Sequence, residues 1–389
     1  MKRPRFYTHH LILSALAGAC LALAAGALAL WLLVGPQCLA FLEAWGLARN
    51  QFVGEYDPAA AMDSALTGLV NGLGDRWSYY LNAEAYAAQN QRRSNSYVGI
   101  GVTVGYTDPR GLLIVAVKSG GPADGAGLKT GEVITAVDGF SLAGEEAQQE
   151  GSSRIQGEVG TAVTLTVVSE AGEERQVEIT RAAVQNDSVT SYTLLEGDVG
   201  YVVLANFYSG SANQLNAAVD DLVDRGARAL IFDMRNNGGG YVTELTDMLD
   251  HLLPEGPIFR SKTKSGKEEV TQSDAACVDL PMAVLVNADT YSAAEFFAAQ
   301  LREKGVAVVV GDPTSGKGYS QQAIPLPNGG AVNMSTGKYF TGDGVSLIGT
   351  GVTLDKEISL SDEAAMALWA GTLAYEDDAQ LQAALELLQ

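Results

Sequence analysis

Histidine is scarce in this chain of 389 residues: only His9, His10 and His251 occur. The first two precede an apolar run, and His251 lies in MLDHLLP on an apolar helix, so a Ser-His-Asp triad has little to draw on. Cysteine is equally rare. Cys20 lies inside the apolar run, Cys38 just beyond it, and Cys277 stands alone in the remainder. That excludes a disulfide framework and a cysteine-based metal site. Basic charge is also short. Lys plus Arg number 25 against 46 Asp plus Glu, a formal charge of −21. Such a surface repels phosphate backbones, which argues against nucleic-acid binding. Repeats and low-complexity tracts are absent from the sequence.

What is present begins at the N-terminus. Lys2, Arg3 and Arg5 precede an uncharged stretch over residues 11–35. About 20 helical residues cross a bilayer core, so this run is long enough for an anchor. It ends on Trp31, Leu32, Leu33 and Val34 rather than at a small-residue cleavage site, which fits an uncleaved anchor better than a signal peptide. The expectation is a basic cytoplasmic tail over 1–10, a transmembrane anchor over 11–35, and everything beyond it outside the cytoplasm.

Residues 40–95 read as a helical lead-in. Asp57-Pro58 is a helix-start signal, and Met62, Leu66, Leu69, Val70 and Leu73 recur at helical spacing. Over 96–183 short β-type runs such as GLLIVAV and TAVTLTVV alternate with glycine-rich turns, as in a compact β-rich module. Over 188–360 strands and amphipathic helices alternate, which predicts an α/β core with a largely parallel sheet. Within it Asn328-Gly329-Gly330 marks a hairpin. Residues 361–389 read as a helical tail of little information.

Two loops of the core carry candidate chemistry. Ser292, in TYSAAE, follows a strand and opens a helix. Orphan N–H groups at a helix start can hold an oxyanion, and the dipole there favours negative charge. Taken locally, Ser292 with Glu295 reads first as a capping box. A nucleophilic serine needs a base. Lys317, flanked by Gly316 and Gly318 after a strand of buried type, can serve if desolvation removes its proton. Gln321 can orient the amine without restoring its charge. The same segment, residues 311–317, spells G-x-x-x-x-G-K, but Gly318 stands where a phosphate-binding loop needs Ser or Thr, and a strand follows instead of a helix. A third loop, 235–240 (RNNGGG), can turn main-chain N–H groups toward a ligand.

In combination these segments resemble the carboxyl-terminal (tail-specific) processing serine proteases. TYSAAE is similar to that family's SASASE nucleophile motif. Gly316-Lys317-Gly318-Tyr319-Ser320-Gln321 matches its GKGxxQ motif, 317 − 292 = 25 positions after Ser292. DMRNNGGG resembles DLRxNPGG with Gly238 in place of Pro, and KYFTGDGVSLIGTGVTLD resembles the motif closing the domain. LGDRWSYYL is similar to a lead-in motif, with Arg76 and Trp77 in place of Pro-His. The resemblance implies a crotonase-like ββα catalytic core with an inserted PDZ domain. It implies Ser292, Lys317 and Gln321 as catalytic residues, with the amides of Gly239 and Ala293 as the oxyanion hole. It also implies capture of a substrate C-terminus at Gly99, Ile100, Gly101 and Val102. The expected partners are polypeptides with accessible C-termini, and no metal or cofactor is required. The competing reading is an anchored PDZ scaffold without activity.

Overall fold

The computed structural model describes residues 8–388, apart from the side chains of residues 8–12, 23–24 and 27–34. The chain divides into two units, residues 1–66 and 67–389.

In the first unit a helix runs over Thr8–Gln51 and is broken at Gly35, whose φ of 74° and ψ of 166° are followed by Pro36. Proline cannot donate the helical hydrogen bond and clashes with the preceding turn, so the break is local in cause. The expected anchor over 11–35 falls in good part on side chains outside the described residues. Among the described residues no helix is long and apolar enough to cross a membrane. The helix Pro58–Asn71 starts at the Asp57-Pro58 signal, with Asp57 Oδ1 accepting the Ala59 N–H at 2.8 Å.

The second unit is built on a sheet of six strands. Five of them run parallel in the order Val199–Leu204, Ala229–Asp233, Met282–Val286, Ala307–Gly311 and Lys356–Glu357. Val189–Leu195 joins one edge antiparallel. The two central strands, ALIFD and MAVLV, are buried throughout, the pattern of a sheet covered on both faces. Side chains alternate between the faces with period 2. Val202, Phe232, Val284 and Val286 pack against the helices Ser211–Asp224, Val242–Leu252 and Ala293–Glu303. Tyr201, Ile231, Ala283 and Leu285 point the other way and meet Leu381, Ala383 and Ala384 of the helix Ala379–Leu387.

The tail is therefore part of the core, contrary to the reading of residues 361–389 as uninformative. Its anchor is polar. Arg235, buried, reaches Asp233 on one side and Asp378 Oδ2 on the other at 2.7 Å, and it also donates to Gln380 Oε1 at 3.1 Å. Asp378 in turn accepts the N–H groups of Gln380 and Leu381 that open the tail helix. The sequence pattern misses this arrangement because the partners lie 143 positions apart.

A second sheet holds Tyr79–Leu81, Ala331–Phe340, Gly256–Thr263, Glu268–Ser273 and Tyr319–Pro325. The predicted turn at Asn328-Gly329-Gly330 is there, with Leu326 N–H donating to Gly330 O at 2.8 Å. Two features differ from expectation. Residues 40–95 are not helical throughout, because Tyr79–Leu81 adds a strand beside Ala331–Phe340. The hairpin Gly256–Ser273 was not anticipated; its polar, exposed second strand, EEVTQS, lacks the alternation that marks a half-buried strand.

Residues 102–180 form a separate antiparallel sheet with its own core of Ile114, Ile134, Leu165 and other apolar side chains. Its edge strands are Val102–Asp108 and Glu174–Thr180, and the helix Glu145–Ile155 packs on the same sheet. A two-stranded pair, Ser96–Gly99 with Ala182–Gln185, closes the module where the chain enters and leaves it.

Removing one partner of a buried ion pair typically costs about 3–5 kcal/mol. Asp378→Ala should therefore lower the free energy of unfolding by an amount in that range. The double variant Arg235→Met/Asp378→Ala should lose less than the sum of its single changes, because both single changes break the same Arg235–Asp378 pair, although Asp233 still loses its cation. Equilibrium unfolding of the three variants tests both points.

Candidate active site

The carboxyl ends of parallel strands in an α/β sheet are where ligands bind, because loops and helix starts converge there. Three adjacent strands end in the three segments singled out above: Ala229–Asp233 leads to the glycine loop, Met282–Val286 to Ser292, and Ala307–Gly311 to Lys317. All three reach one cleft of about 810 Å³, whose wall includes Gly238–Gly240, Ser292, Lys317, Gln321, Trp77 and Tyr339.

Ser292 stands at the head of the helix Ala293–Glu303 with φ 61° and ψ −123°, a conformation that ordinary side chains avoid. Surrounding bonds hold it there. Thr290 Oγ1 donates to Met234 O at 2.8 Å, Tyr291 N–H to Asn237 O at 3.2 Å, and Asn236 N–H to Asn287 Oδ1 at 2.9 Å. The glycine loop is thereby bolted to the serine turn. Gly239, at φ 80°, lies so close that a Cβ on it would stand 2.7 Å from Ala293 N and 3.0 Å from Ser292 Cβ. Any larger residue would displace the serine.

Lys317 Nζ points at two aromatic faces, 4.7 Å from the Trp77 ring centre and 5.7 Å from that of Tyr291. Burial, with the Arg93 charge second, pushes its ammonium down to about 8, while the Glu295 and Asp75 carboxylates pull the other way. Asp75 itself sits below the usual carboxylate range: burial opposes this, and hydrogen bonds from Ser78, Ser335 and Trp77 outweigh it. The glycines around Lys317 have a steric reason. A Cβ on Gly316 would meet the Gly349 backbone at 2.9 Å, so only glycine lets the two turns touch.

Glu295 ties the two loops together. The side chain is fully buried. Oε2 accepts the N–H of Ser292 at 3.1 Å and of Lys317 at 3.0 Å, and Oε1 accepts Gly316 N–H and Thr314 Oγ1, each at 2.6 Å. Tyr339, also buried, donates to the Lys317 carbonyl and has Ser292 as a second hydrogen-bonding neighbour.

Not every expected contact is present. Ser292 and Lys317 share the cleft wall, but no hydrogen bond joins their side chains among the described residues. Gln321 lines the cleft, yet its amide donates to Tyr319 O at 2.8 Å and Ser335 Oγ at 3.2 Å, away from the lysine amine. The Gly239 N–H donates to Asn237 Oδ1 at 2.8 Å, the bond that shapes its turn, so it is not directed at a ligand. The Ala293 N–H opens its helix and has no acceptor among the described residues, as have the amides of Gly238 and Gly240. Gly99 to Val102 lie in the separate β-rich module; Gly101 takes φ 82°, and Ile100 O and Gly101 O accept from Ala123 and Lys118.

A sequence profile described as "Peptidase family S41" matches residues 198–358. The carboxy-terminal processing protease CtpA of Bacillus subtilis is 30% identical over 324 residues, which cover 83% of this chain and 69% of that one. The chain belongs to this family. CtpB of the same organism is 28% identical over 312 residues, covering 78% of this chain and 64% of its own. The chain thus spans about two thirds of the length of both relatives. Among solved structures, a photosystem II D1 C-terminal processing protease matches with 26% identity and a TM-score of 0.50, covering 90% of this chain and 99% of that one.

As an S41 member the protein is a serine-type peptidase with a mixed α/β fold. Against that background, Tyr339, Trp77 and Arg93 line the cleft and Glu295 lies buried behind it, and no local pattern in the sequence assigns these four their places. Glu295 was visible as half of a capping box, and its bond to Ser292 N–H is that half. Its reach to the lysine loop could not be read from spacing. Tyr339 stood in the closing motif KYFT with nothing local to show where its hydroxyl goes.

Glutamine at position 295 would turn an NH₂ toward two of the four donors. Glu295→Gln should therefore reduce kcat on a peptide substrate roughly a hundredfold, about 2.7 kcal/mol, while KM changes little. Loss of the carboxylate charge should also let Lys317 lose its proton at lower pH, since Glu295 favours the protonated lysine. Steady-state kinetics across pH, with circular dichroism to verify folding, tests both.

Proposed function

We propose that this S41 peptidase is an endopeptidase in which Ser292 attacks the scissile carbonyl and neutral Lys317 is the general base. The observation that carries the proposal is the joint placement of the two residues on one cleft, with the lysine amine held against aromatic rings and pushed down to about 8. At that value a useful fraction of the amine is neutral near neutral pH. In acylation the Ser292 Oγ–H proton passes to Lys317 Nζ as the Oγ–C bond forms. The resulting ammonium then protonates the leaving amine as the C–N bond breaks. Water attacks the acyl-enzyme, Lys317 takes its proton, and Ser292 Oγ recovers a proton as the acid product leaves. The Ala293 N–H serves as one oxyanion donor, and the second comes from the glycine loop. Because Ser292 and Lys317 make no hydrogen bond here, their contact tightens in the substrate complex, a change usual for catalytic pairs. Gln321 borders the base rather than bonding to it.

The module over 96–183 acts in this proposal as a PDZ domain that takes up a substrate C-terminus. Its unpaired edge strand, Val102–Asp108, offers main-chain groups to an extended peptide beside the helix Glu145–Ile155. The 11–35 run would hold the protein at the cell membrane with the peptidase outside the cytoplasm, supported by its length, its lack of charge and its basic flank.

Ser292→Ala and Lys317→Ala should each fold and each fail to cleave an unstructured polypeptide, with losses of similar size because the two act as a unit. Cleavage retained by the lysine variant would overturn the mechanism. For the wild type, kcat/KM should rise with pH and level off above about 8, as Lys317 loses its proton. The stability term has a matching sign. Below about 8 the lysine is charged in both folded and unfolded chains and the fold bears the full desolvation cost. Between about 8 and the ordinary lysine value that cost disappears. Stability relative to Lys317→Met should therefore improve as pH rises through that window.

A further inference from the structure

The charge of the cleft is opposite to that of the chain. Its wall contains no Asp or Glu, although the chain carries 46 of them. Its charged side chains are Arg92, Arg93 and Lys317. The role proposed for Lys317 requires it to be neutral, but the two arginines remain charged at any working pH. Among the described residues neither arginine makes an ion pair, whereas Arg110, Arg175, Arg235 and Arg302 each hold a carboxylate. In so acidic a chain, two adjacent arginines facing a cleft without a carboxylate partner are unusual.

Their backbone is fixed. They end the helix Ala83–Arg93, which is capped by Asn82 Oδ1 accepting the Ala85 N–H at 2.8 Å. Beyond the helix, the Arg93 carbonyl accepts Ser209 N–H at 3.3 Å, and buried Asn95 donates to Ser188 Oγ at 2.8 Å. The Arg93 guanidinium lies 5.9 Å from the Tyr241 ring centre, which restrains it while leaving its N–H edge available. A guanidinium held in this way fits a carboxylate in bidentate fashion.

We propose that Arg92 and Arg93 form a carboxylate-binding subsite of the cleft, which selects polypeptides with an acidic group near the bond to be cut. The proposal rests on the peptidase reading above. The carboxylate is either an Asp or Glu side chain or the free C-terminus of a short substrate tail, and the two sources are separable by experiment.

The test uses the full chain and matched peptides that differ only at one residue flanking the cleaved bond: Asp, Asn or Lys, each with a free or amidated C-terminus. Ratios of kcat/KM between peptides are compared within each enzyme, at pH 9, so that changes in Lys317 protonation cancel. The wild type should favour the Asp peptide over the Asn peptide about tenfold, less at high salt. The preference should shrink in Arg92→Gln and Arg93→Gln, and Arg92→Glu/Arg93→Glu should favour the Lys peptide. If amidation of the C-terminus lowers kcat/KM and Asp-to-Asn exchange does not, the subsite binds the terminal carboxylate. Wild-type cleavage indifferent to both changes overturns this proposal and leaves the peptidase reading standing. Absence of cleavage of every peptide and of unstructured polypeptide by the wild type overturns the peptidase reading itself.

Discussion

The carboxylate of Glu295 receives hydrogen bonds from the turn that carries Ser292 and from the loop that carries Lys317. Hydrogen bonds to an ionised, buried acceptor are roughly twice as strong as neutral ones, and none of these competes with water. Two loops far apart in sequence thereby acquire one common origin of coordinates. The strained φ of Ser292, the close packing of Gly239 and the Gly316–Gly349 contact are all tolerated because this carboxylate and its four donors fix the backbone around them. The same anchoring has an electrostatic cost. A negative charge near the lysine stabilises its ammonium, so burial and the Arg93 charge must outweigh Glu295 and Asp75 to bring it down. The geometry directs the Glu295 oxygens at main-chain N–H groups rather than at Nζ, which limits that opposition.

The floor under these loops is held by a second buried charge arrangement. Arg235 begins the glycine loop and is clamped between Asp233, at the end of its own strand, and Asp378, at the start of the tail helix. Tyr201 donates to Asp233 at 2.6 Å and adds a fourth member from the neighbouring strand. The tail helix covers one sheet face and, through this arginine, fixes where the glycine loop departs. The glycine loop in turn bears on Ser292 through Gly239 and Asn237. Packing at the chain end and position at the serine are thus linked by contiguous contacts.

How much of this could be read from the sequence depends on range. The strands and helices of the core were legible because their periodicity is local: ALIFD and MAVLV are uninterrupted apolar runs, and Ser211–Asp224 is amphipathic along its length. Ser292 and Lys317 were legible because each sits in a short motif at a strand end, where a loop and a helix start meet. What was missed depends on partners distant in sequence. The hairpin Gly256–Ser273 has one face in solvent and a charged second strand, so its pattern resembles a loop. The tail helix is short, and its apolar residues acquire meaning only against the sheet. Gln321 and Gly239 line the cleft, but their hydrogen bonds go to Tyr319, Ser335 and Asn237, because a side-chain amide or a turn N–H takes whichever acceptor the fold puts nearest.

The absence of acidic side chains from the cleft wall serves two ends through one cause. A carboxylate within a few ångströms of Nζ would hold Lys317 protonated and remove the proposed base, so acids must be kept back from the lining in a chain that carries many. Once they are excluded, any arginine that reaches the cleft has no internal partner. It then lowers the affinity of the lysine for a proton, as Arg93 does, and keeps its own donors for whatever enters. An acidic exterior around a cationic cleft is therefore the arrangement expected when a lysine must stay neutral, and the substrate preference proposed for Arg92 and Arg93 follows from the same exclusion.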